Sequence, residues 1–327
     1  MLVAAVAVAI VVAAGCGGSN NSSSSTSSSS GTSGGGLTAQ QIADKSSAAM
    51  QAVKSATFAL DLTATIKGDA SKATDAQTKA LLQAPIVVKA QGNVSNEPQK
   101  ADMTLNLSAA GKTFDVGLKM DGDKIWVQFM NQWYETSQSA LGGLTGSSPS
   151  PSASSAPLTQ QLQDSIKQLG IDPTTWTEGY TVTGTETLDG TDVYHVVQTL
   201  NVSKVVDDLL KLSQTASGLT GGLGASASPG TQITPQDAQA LKDALKGLKI
   251  DWFYQKDNYY LRKMQMASTI DLSKDTSAAA SGVQSVDFSL DLTMSNFDQP
   301  VTVEAPANPK PIQDLITALT GSGGLQL

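Results

Sequence analysis

Apolar and polar residues alternate with period two along much of this chain. From Phe58 to Ile66 the apolar set is Phe58, Leu60, Leu62, Ala64 and Ile66, with Ala59, Asp61, Thr63 and Thr65 between them. A strand turns successive side chains to opposite faces, so this spacing predicts a sheet with one dry side and one wet side. The pattern returns at Ile86, Val88, Ala90 and Val94, at Met103, Leu105, Leu107 and Ala109, at Phe114, Val116, Leu118 and Met120, and at Ile125, Val127 and Phe129. Ala110-Gly111 and Asp121-Gly122 separate the last three runs, which predicts consecutive antiparallel hairpins.

A helix is predicted ahead of this meander, from Thr38 to about Lys54. Thr38 and Gln41 have the spacing of a capping box, and Ile42, Ala49, Met50 and Val53 recur at helical spacing. Behind the meander the plan repeats. Leu158 to Leu169 reads as a helix stopped by Gly170. Asp189-Gly190 joins a strand from Tyr180 to Leu188 with one from Val193 to Leu200. Val202 to Leu212 and Pro235 to Leu248 read as helices. Ile250–Gln255, Tyr259–Ile270 and Gln284–Phe297 are the closing strands, the first two joined at Asp257-Asn258. Simple alternation puts Met264 and Met266 on one face with Tyr260 and Ile270. Phe58–Thr63 recurs as Phe288–Thr293, a match short enough for strand alternation to produce by chance.

Three stretches interrupt the pattern. Asp69 to Ala84 is polar with weak helical character. Gly142 to Pro157 and Thr215 to Thr231 are rich in Ser, Gly and Pro. They read as long loops of one domain, because strands of the same alternating type flank them. The expected fold class is α+β, an antiparallel sheet of about ten strands with about four helices. Two arrangements fit. A strongly curved half-barrel, enclosing its helices or covered by them, leaves apolar space over. A flat sheet with helices across one face leaves no cavity.

The N-terminus has a separate logic. Leu2 to Ala14 is an uninterrupted apolar run, too short to span a bilayer, and it ends in Ala13-Ala14-Gly15-Cys16. This resembles the bacterial lipobox, in which small residues precede a cysteine whose thiol accepts a diacylglyceryl group. Ala13 stands where that pattern usually has leucine, and no Lys or Arg precedes the run. From Gly17 to Gly36 the chain is almost wholly Gly, Ser, Asn and Thr, a flexible tether with a reach of roughly 25 Å. The expected organisation is a signal peptide (1–15), a lipidated Cys16 with its tether (16–36), one folded domain (37–306) and a C-terminal tail (307–327). Lipid on Cys16 implies a body held at the extracytoplasmic face of the cell membrane.

Composition narrows the chemistry. The chain has 327 residues, 15% of them charged, and a net charge of −8. Its 21 basic residues form no stripe that could neutralise phosphates, so a nucleic-acid partner is not expected. The single cysteine excludes an intramolecular disulfide, and the single histidine, His195, excludes a multi-histidine metal site. His195 reads as a strand histidine bonded locally. There is no Gly-x-Ser-x-Gly elbow and no phosphate-binding glycine loop. Asp207-Asp208 has the composition of a cation site, but a solvated helix face is the plainer reading. No catalytic residue, cofactor or metal is expected. Aromatic residues gather near strand ends, at Trp126, Trp133-Tyr134, Trp252-Phe253-Tyr254 and Tyr259-Tyr260. Exposed, they could stack on sugars; buried, they are ordinary core.

The most distinctive stretch is the last strand and the segment after it, Leu290-Asp291-Leu292-Thr293-Met294-Ser295-Asn296-Phe297-Asp298-Gln299-Pro300-Val301-Thr302-Val303-Glu304-Ala305-Pro306. With the lipobox, the tether and the helix-then-meander order, it resembles the mycobacterial LppX/LprG-type lipoproteins and the LolA-like carriers. The resemblance implies a half-open curved sheet holding helices and a hydrophobic cavity, and a non-enzymatic role in carrying acylated lipids or glycolipids across the envelope, with an export partner. The two low-complexity inserts depart from that compact pattern. The dry strand faces then supply the ligand-lining candidates: Leu60, Leu62, Val88, Met103, Leu105, Leu107, Phe114, Val116, Leu118, Ile125, Val127, Phe129, Trp252, Tyr254, Met264, Met266, Phe288, Leu290 and Leu292. A sixteen-carbon chain buried there gains at most on the order of 12 kcal/mol, at about 0.8 kcal/mol per methylene, without any charged site. The competing expectation is an envelope sensor or glycan-binding module using the aromatics, with Trp133 and Trp252 as its stacking residues.

Overall fold

The structure is a computed structural model that describes residues 36–138, 140, 170–208, 210–211, 235–273, 278 and 281–321. The signal segment, Cys16, the tether up to residue 35, the helix expected at Leu158–Leu169 and the loops at 142–157 and 215–231 lie outside the described residues.

Among the described residues, one open, curved sheet of twelve strands dominates. Its strands are β1 (Ser55–Gly68), β2 (Ile86–Asn96), β3 (Gln99–Ala109), β4 (Lys112–Asp121), β5 (Lys124–Phe129), β6 (Gln132–Ser137), β7 (Thr177–Leu188), β8 (Thr191–Leu200), β9 (Lys249–Gln255), β10 (Leu261–Asp271), β11 (Val283–Ser295) and β12 (Lys310–Pro311). The helices are α1 (Ala39–Ala52), α2 (Ala76–Gln83), α3 (202–208), α4 (Pro235–Ala244) and α5 (Ile312–Gly321). Across the sheet the order is β12-β6-β5-β4-β3-β2-β1-β11-β10-β9-β8-β7. Every pairing is antiparallel except β12 with β6. The α+β expectation holds, with two strands more than the sequence predicts.

Local chemistry explains most boundaries. Thr38 caps α1: its hydroxyl accepts from Gln41 N at 3.2 Å, and its own N–H donates to the Gln41 side chain at 2.9 Å. Asp75 caps α2 through Thr78 N at 2.7 Å, so the weakly helical stretch before Ala84 does become a helix. Ala110-Gly111 and Asp189-Gly190 have positive φ at both residues, the mirror-image turn whose twist matches paired strands. At the next hairpin the turn falls one residue later than expected, on Gly122-Asp123, because Asp121 pairs with Lys124. The additional strand β6 follows Met130 and Asn131, also a turn with positive φ twice (46° and 63°) but without glycine.

The duplicated hexapeptide occupies β1 and β11, which lie side by side with Leu60 opposite Leu292 and Leu62 opposite Leu290. The copies are thus on the first and last long strands, which is not the order of a tandem duplication.

Helices α1, α3 and α4, with Leu81 and Leu82 of α2 at the margin, cover one face of the sheet from β1 through β11, β10 and β9 to β8. Ile42, Val206, Ala238 and Leu245 pack there with Leu62, Val196, Ile250, Trp252, Met264 and Leu290, all buried. One placement differs from simple alternation. The register slips between Leu261 and Lys263, so Leu261 joins the core side while Tyr260 leaves it. Tyr260 instead donates to Asp298 Oδ2 at 3.2 Å and packs on Phe297, centroids 4.7 Å apart. It therefore does not share the face of Met264, Met266 and Ile270.

The closing stretch is a clasp. Asp298 accepts from Lys54 N at 2.8 Å and from Tyr260, its own N–H donates to Ser55 O at 2.9 Å, and the Ser55 hydroxyl donates to Gln299 O at 2.5 Å. The end of β11 is thereby tied to the start of β1. Asp298→Ala is expected to cost about 1–2 kcal/mol, the worth of one or two exposed charge-assisted bonds, read as a lower urea midpoint. An unchanged midpoint would show the clasp to be incidental. Beyond it the chain crosses the sheet on the side away from the helices: the Lys119 ammonium reaches Glu304 O at 3.2 Å, and Lys310–Pro311 then pair with Tyr134–Glu135. The C-terminal tail from residue 307 contributes β12 and α5 to the fold, and Leu315 of α5 is buried. A two-residue strand with a proline carries too little alternation to be read from sequence.

Candidate functional site

Strand pairing arranges the apolar side chains in rows that run across the sheet. One row passes through Phe129, Val116, Leu105, Ala90, Leu60, Leu292, Met264, Trp252 and Val196, from β5 to β8. Its members all project to the helix-bearing side, yet their exposure changes along its length. Val196 is 0%, Met264 2% and Trp252 4% exposed, whereas Leu105 is 38% exposed. Leu60 and Leu292, at the middle, are half-buried. The row beside it behaves alike: Met266 and Leu290 are buried, while Val88, Leu107 and Phe114 are half-buried. A third row carries Phe58, Met103, Leu118 and Val127, again half-buried.

The ligand-lining candidates therefore fall into three groups. Leu62, Trp252, Tyr254, Met264, Met266 and Leu290 belong to the core that the protein fills with its own helices. Leu60, Val88, Phe288 and Leu292 are half-buried at the margin of that core. Met103, Leu105, Leu107, Phe114, Val116, Leu118, Val127 and Phe129 form an apolar surface on β3, β4 and β5 that stands partly in solvent. Ile125 is buried, and so are Ala101 and Ala56 in its row, so this surface is closed at that end. It opens toward the Ala110-Gly111 and Met130-Asn131 turns. Gly92 lies in the third row; a Cβ there would come within 2.3 Å of Asp102 O, so glycine lets β2 and β3 approach.

Across β1 and β11 the opposite side of the sheet is polar. Asp61 and Asp291 face each other across β1 and β11, a repulsive pair unless compensated. Lys89 bonds Asp61 at 2.9 Å, and Lys263 and Gln265 bond Asp291 at 3.0 and 2.7 Å. His195 belongs to this side. Its Nδ1 lies 2.9 Å from Glu186, its Nε2 lies 2.7 Å from Asp251, and its ring stacks on Phe253 at 4.5 Å. The histidine thus pins β7 to β9, as a locally bonded strand histidine would.

Asp208 departs from the expected solvated helix face. It is 0% exposed and accepts from Trp176 Nε1 at 2.9 Å, from Lys211 at 3.0 Å and from Lys204. Burial is the largest single influence and alone would push its carboxyl up. The bonds from Lys204, Trp176 and Lys211 together outweigh it and hold the group below the ordinary value of 3.8. Two lysines occupy the carboxylate, and Asp207 is turned to Lys242 at 2.6 Å, so the pair does not form a cation site. Among the described residues no cluster of three or more His, Cys, Asp or Glu side chains has metal-binding geometry.

The aromatics are mostly structural. Trp126 is 3% exposed and donates to Glu135 at 2.7 Å; Trp252 donates to Gln198 at 2.8 Å. Trp133 is half-buried, lies across Gly117 and receives the Lys119 ammonium at 5.6 Å. Trp252 is therefore not placed to stack on a sugar. A separate groove of about 560 Å³ is lined by Lys72, Thr269, Asp271, Ser273 and Gly282 through Ser285, mostly residues with polar side chains.

Residues 38–200 match the family model described as a family of unknown function, DUF6612. No curated protein matches the chain. Among solved structures, the chain is similar to the lipoprotein LppX of Mycobacterium tuberculosis, with 15% identity, a TM-score of 0.37, and 80% of this chain and 96% of that one covered. It is similar to LprF from Mycobacterium bovis, with 16% identity, a TM-score of 0.38, and 83% and 97% covered. It is also similar to a LolA superfamily protein from Nitrosomonas europaea, with 11% identity, a TM-score of 0.21, and 82% and 96% covered. The matched family segment runs from the cap of α1 through β8, and so includes the whole of the half-exposed apolar surface.

Proposed function

We propose that the chain is a non-enzymatic lipid carrier of the cell envelope. It is held to the membrane through lipid on Cys16 and seats the acyl part of a lipid or glycolipid on the apolar surface of β3, β4 and β5. The observation that carries this is the change in exposure along a single row, from Trp252 at 4% to Leu105 at 38%. The sheet continues its dry face beyond the reach of α1 to α4. A contiguous apolar surface standing in solvent is costly unless something covers it, and such surfaces mark binding sites. Acyl chains suit it because it offers methyl and methylene groups and few positioned polar atoms, and burial of methylenes suffices for affinity.

The test is direct. Full-length protein purified from its own host should carry acyl lipid in native mass spectrometry, and the lipid-free form should bind a fluorescent fatty-acyl probe. Leu105→Asp with Val116→Asp should weaken probe binding by at least about tenfold, the effect of roughly 1.4 kcal/mol, and leave the urea midpoint nearly unchanged. Protein that carries no lipid and binds no acyl probe would sink the reading.

A further inference from the structure

Met130 is the most exposed large apolar residue among those described, at 69%. It sits at the tip of the β5–β6 hairpin, and its φ of 46° is a backbone conformation that disfavours any residue with a Cβ. Asn-Gly is the usual occupant of such a turn. Here Asn131 takes the second position and a methionine the first, so a bulky apolar side chain is held outward where glycine or asparagine would fold more easily. Phe129, directly behind it, begins the row that runs through Val116 to Leu105. The tip is thus continuous with the open end of the apolar surface.

Charge distinguishes the two hairpin tips at this end from those at the other end, although the β1–β2 connection beside them carries Asp69 and Asp75. The two hairpin tips here are Ala110-Gly111, followed by Lys112, and Met130-Asn131, and neither contains an acid. The tips at the far end hold Glu97 and, around Gly122, Asp121 and Asp123. In a chain of net charge −8, acid-free tips beside the open end fit an apolar or anionic surface better than a basic protein partner.

We propose that this tip docks on a phospholipid bilayer. Met130 enters the interfacial layer and brings the open end of the apolar surface against the membrane, so that an acyl chain passes between bilayer and protein without crossing water. The inference rests on the carrier reading and adds the place where lipid enters.

Two measurements on the full chain separate the two ideas. In Met130→Trp, the added indole should shift its emission to the blue and be quenched by vesicles of brominated phosphatidylcholine, beyond any change in the parent chain. In Met130→Asp, uptake of a fluorescent phospholipid from phosphatidylcholine vesicles should slow by about tenfold, the factor that one lost methionine burial corresponds to. Uptake of a monomeric, water-dispersed acyl probe should not change. An added indole that stays unquenched, or equal uptake from vesicles, would overturn the docking site even if the monomeric probe binds. A Met130→Asp chain that instead loses self-association in sedimentation would assign the tip to a second copy and overturn it equally. Failure of the parent chain to bind the monomeric probe counts against the carrier reading, while quenching of the added indole still decides the docking.

Discussion

In urea, Trp252→Ala is expected to lose about 3–5 kcal/mol of stability, the usual cost of emptying a large buried site. Leu105→Ala, on the same transverse row, is expected to lose under about 1 kcal/mol, as substitutions at partly exposed positions do. Both residues sit on antiparallel strands and face the same side of the sheet. The helices make the difference: Trp252 lies under them at 4% exposure, Leu105 beyond them at 38%. Trp252→Ala also strands the Gln198 side chain that its indole bonds at 2.8 Å, which adds to the cost. The acyl-probe readout should reverse the order. Leu105→Ala should weaken binding several-fold at nearly full stability, and Trp252→Ala should leave binding intact in whatever fraction remains folded. Equal stability losses at the two positions would mean that β3 to β5 are packed as tightly as β8 to β10, and the proposed site would then have no room.

The second large effect is expected at Asp208. Asp208→Asn keeps the shape and a bond from Trp176 but forfeits the charge that two lysines address, at a cost of roughly 2 kcal/mol near neutral pH. Asp208→Ala, which also leaves the buried indole N–H of Trp176 without its acceptor, should cost about 3 kcal/mol. The depressed pKa sets the sign of the pH dependence. The folded carboxyl titrates below the ordinary 3.8, so its contribution is complete above that value and is lost as pH falls through the folded pKa. Denaturation midpoints of the parent and Asp208→Asn should therefore stand apart at neutral pH and converge in the acid range below about 4. A constant gap across that range would show that Asp208 is not charged in the folded protein.

Much of the sheet is legible in alternation, because period two survives wherever one face is dry. Phe58 to Ile66 and Met103 to Ala109 fall on observed strands, and the Ala110-Gly111 and Asp189-Gly190 turns carry glycine, the residue that announces them. β6 is hidden because Met130-Asn131 makes the same turn without that residue. Alternation misplaces Tyr260 because a register slip at Leu261–Lys263 reverses sidedness, and nothing in the alternation of single residues marks a slip. Asp208 misleads for a different reason. On a helix, an acid beside an acid looks solvated; its burial depends on Trp176, which lies far off in sequence and reaches it only through the fold. The candidate site is legible in outline, as a set of dry positions. Which of them stay dry when the helices are in place depends on how far those helices extend across the sheet, and periodicity does not encode that.

The pairing of β1 with β11 has a consequence for how the molecule is made. Strands β1 to β6 form one unbroken run of neighbours, joined by hairpins except for the α2 connection between β1 and β2, and β7 to β11 form another apart from the intervening helices. The two runs meet at a single line where Leu60 waits for Leu292 and Leu62 for Leu290. Contacts between such distant stretches carry a large loop-closure penalty and form slowly. During synthesis, the first run therefore exists for a time with its apolar rows bare and its inner edge unpaired. β11, the clasp at Asp298 and the crossing segment to β12 arrive together at the end of the chain, so closing that line is what turns two separate ribbons into one body.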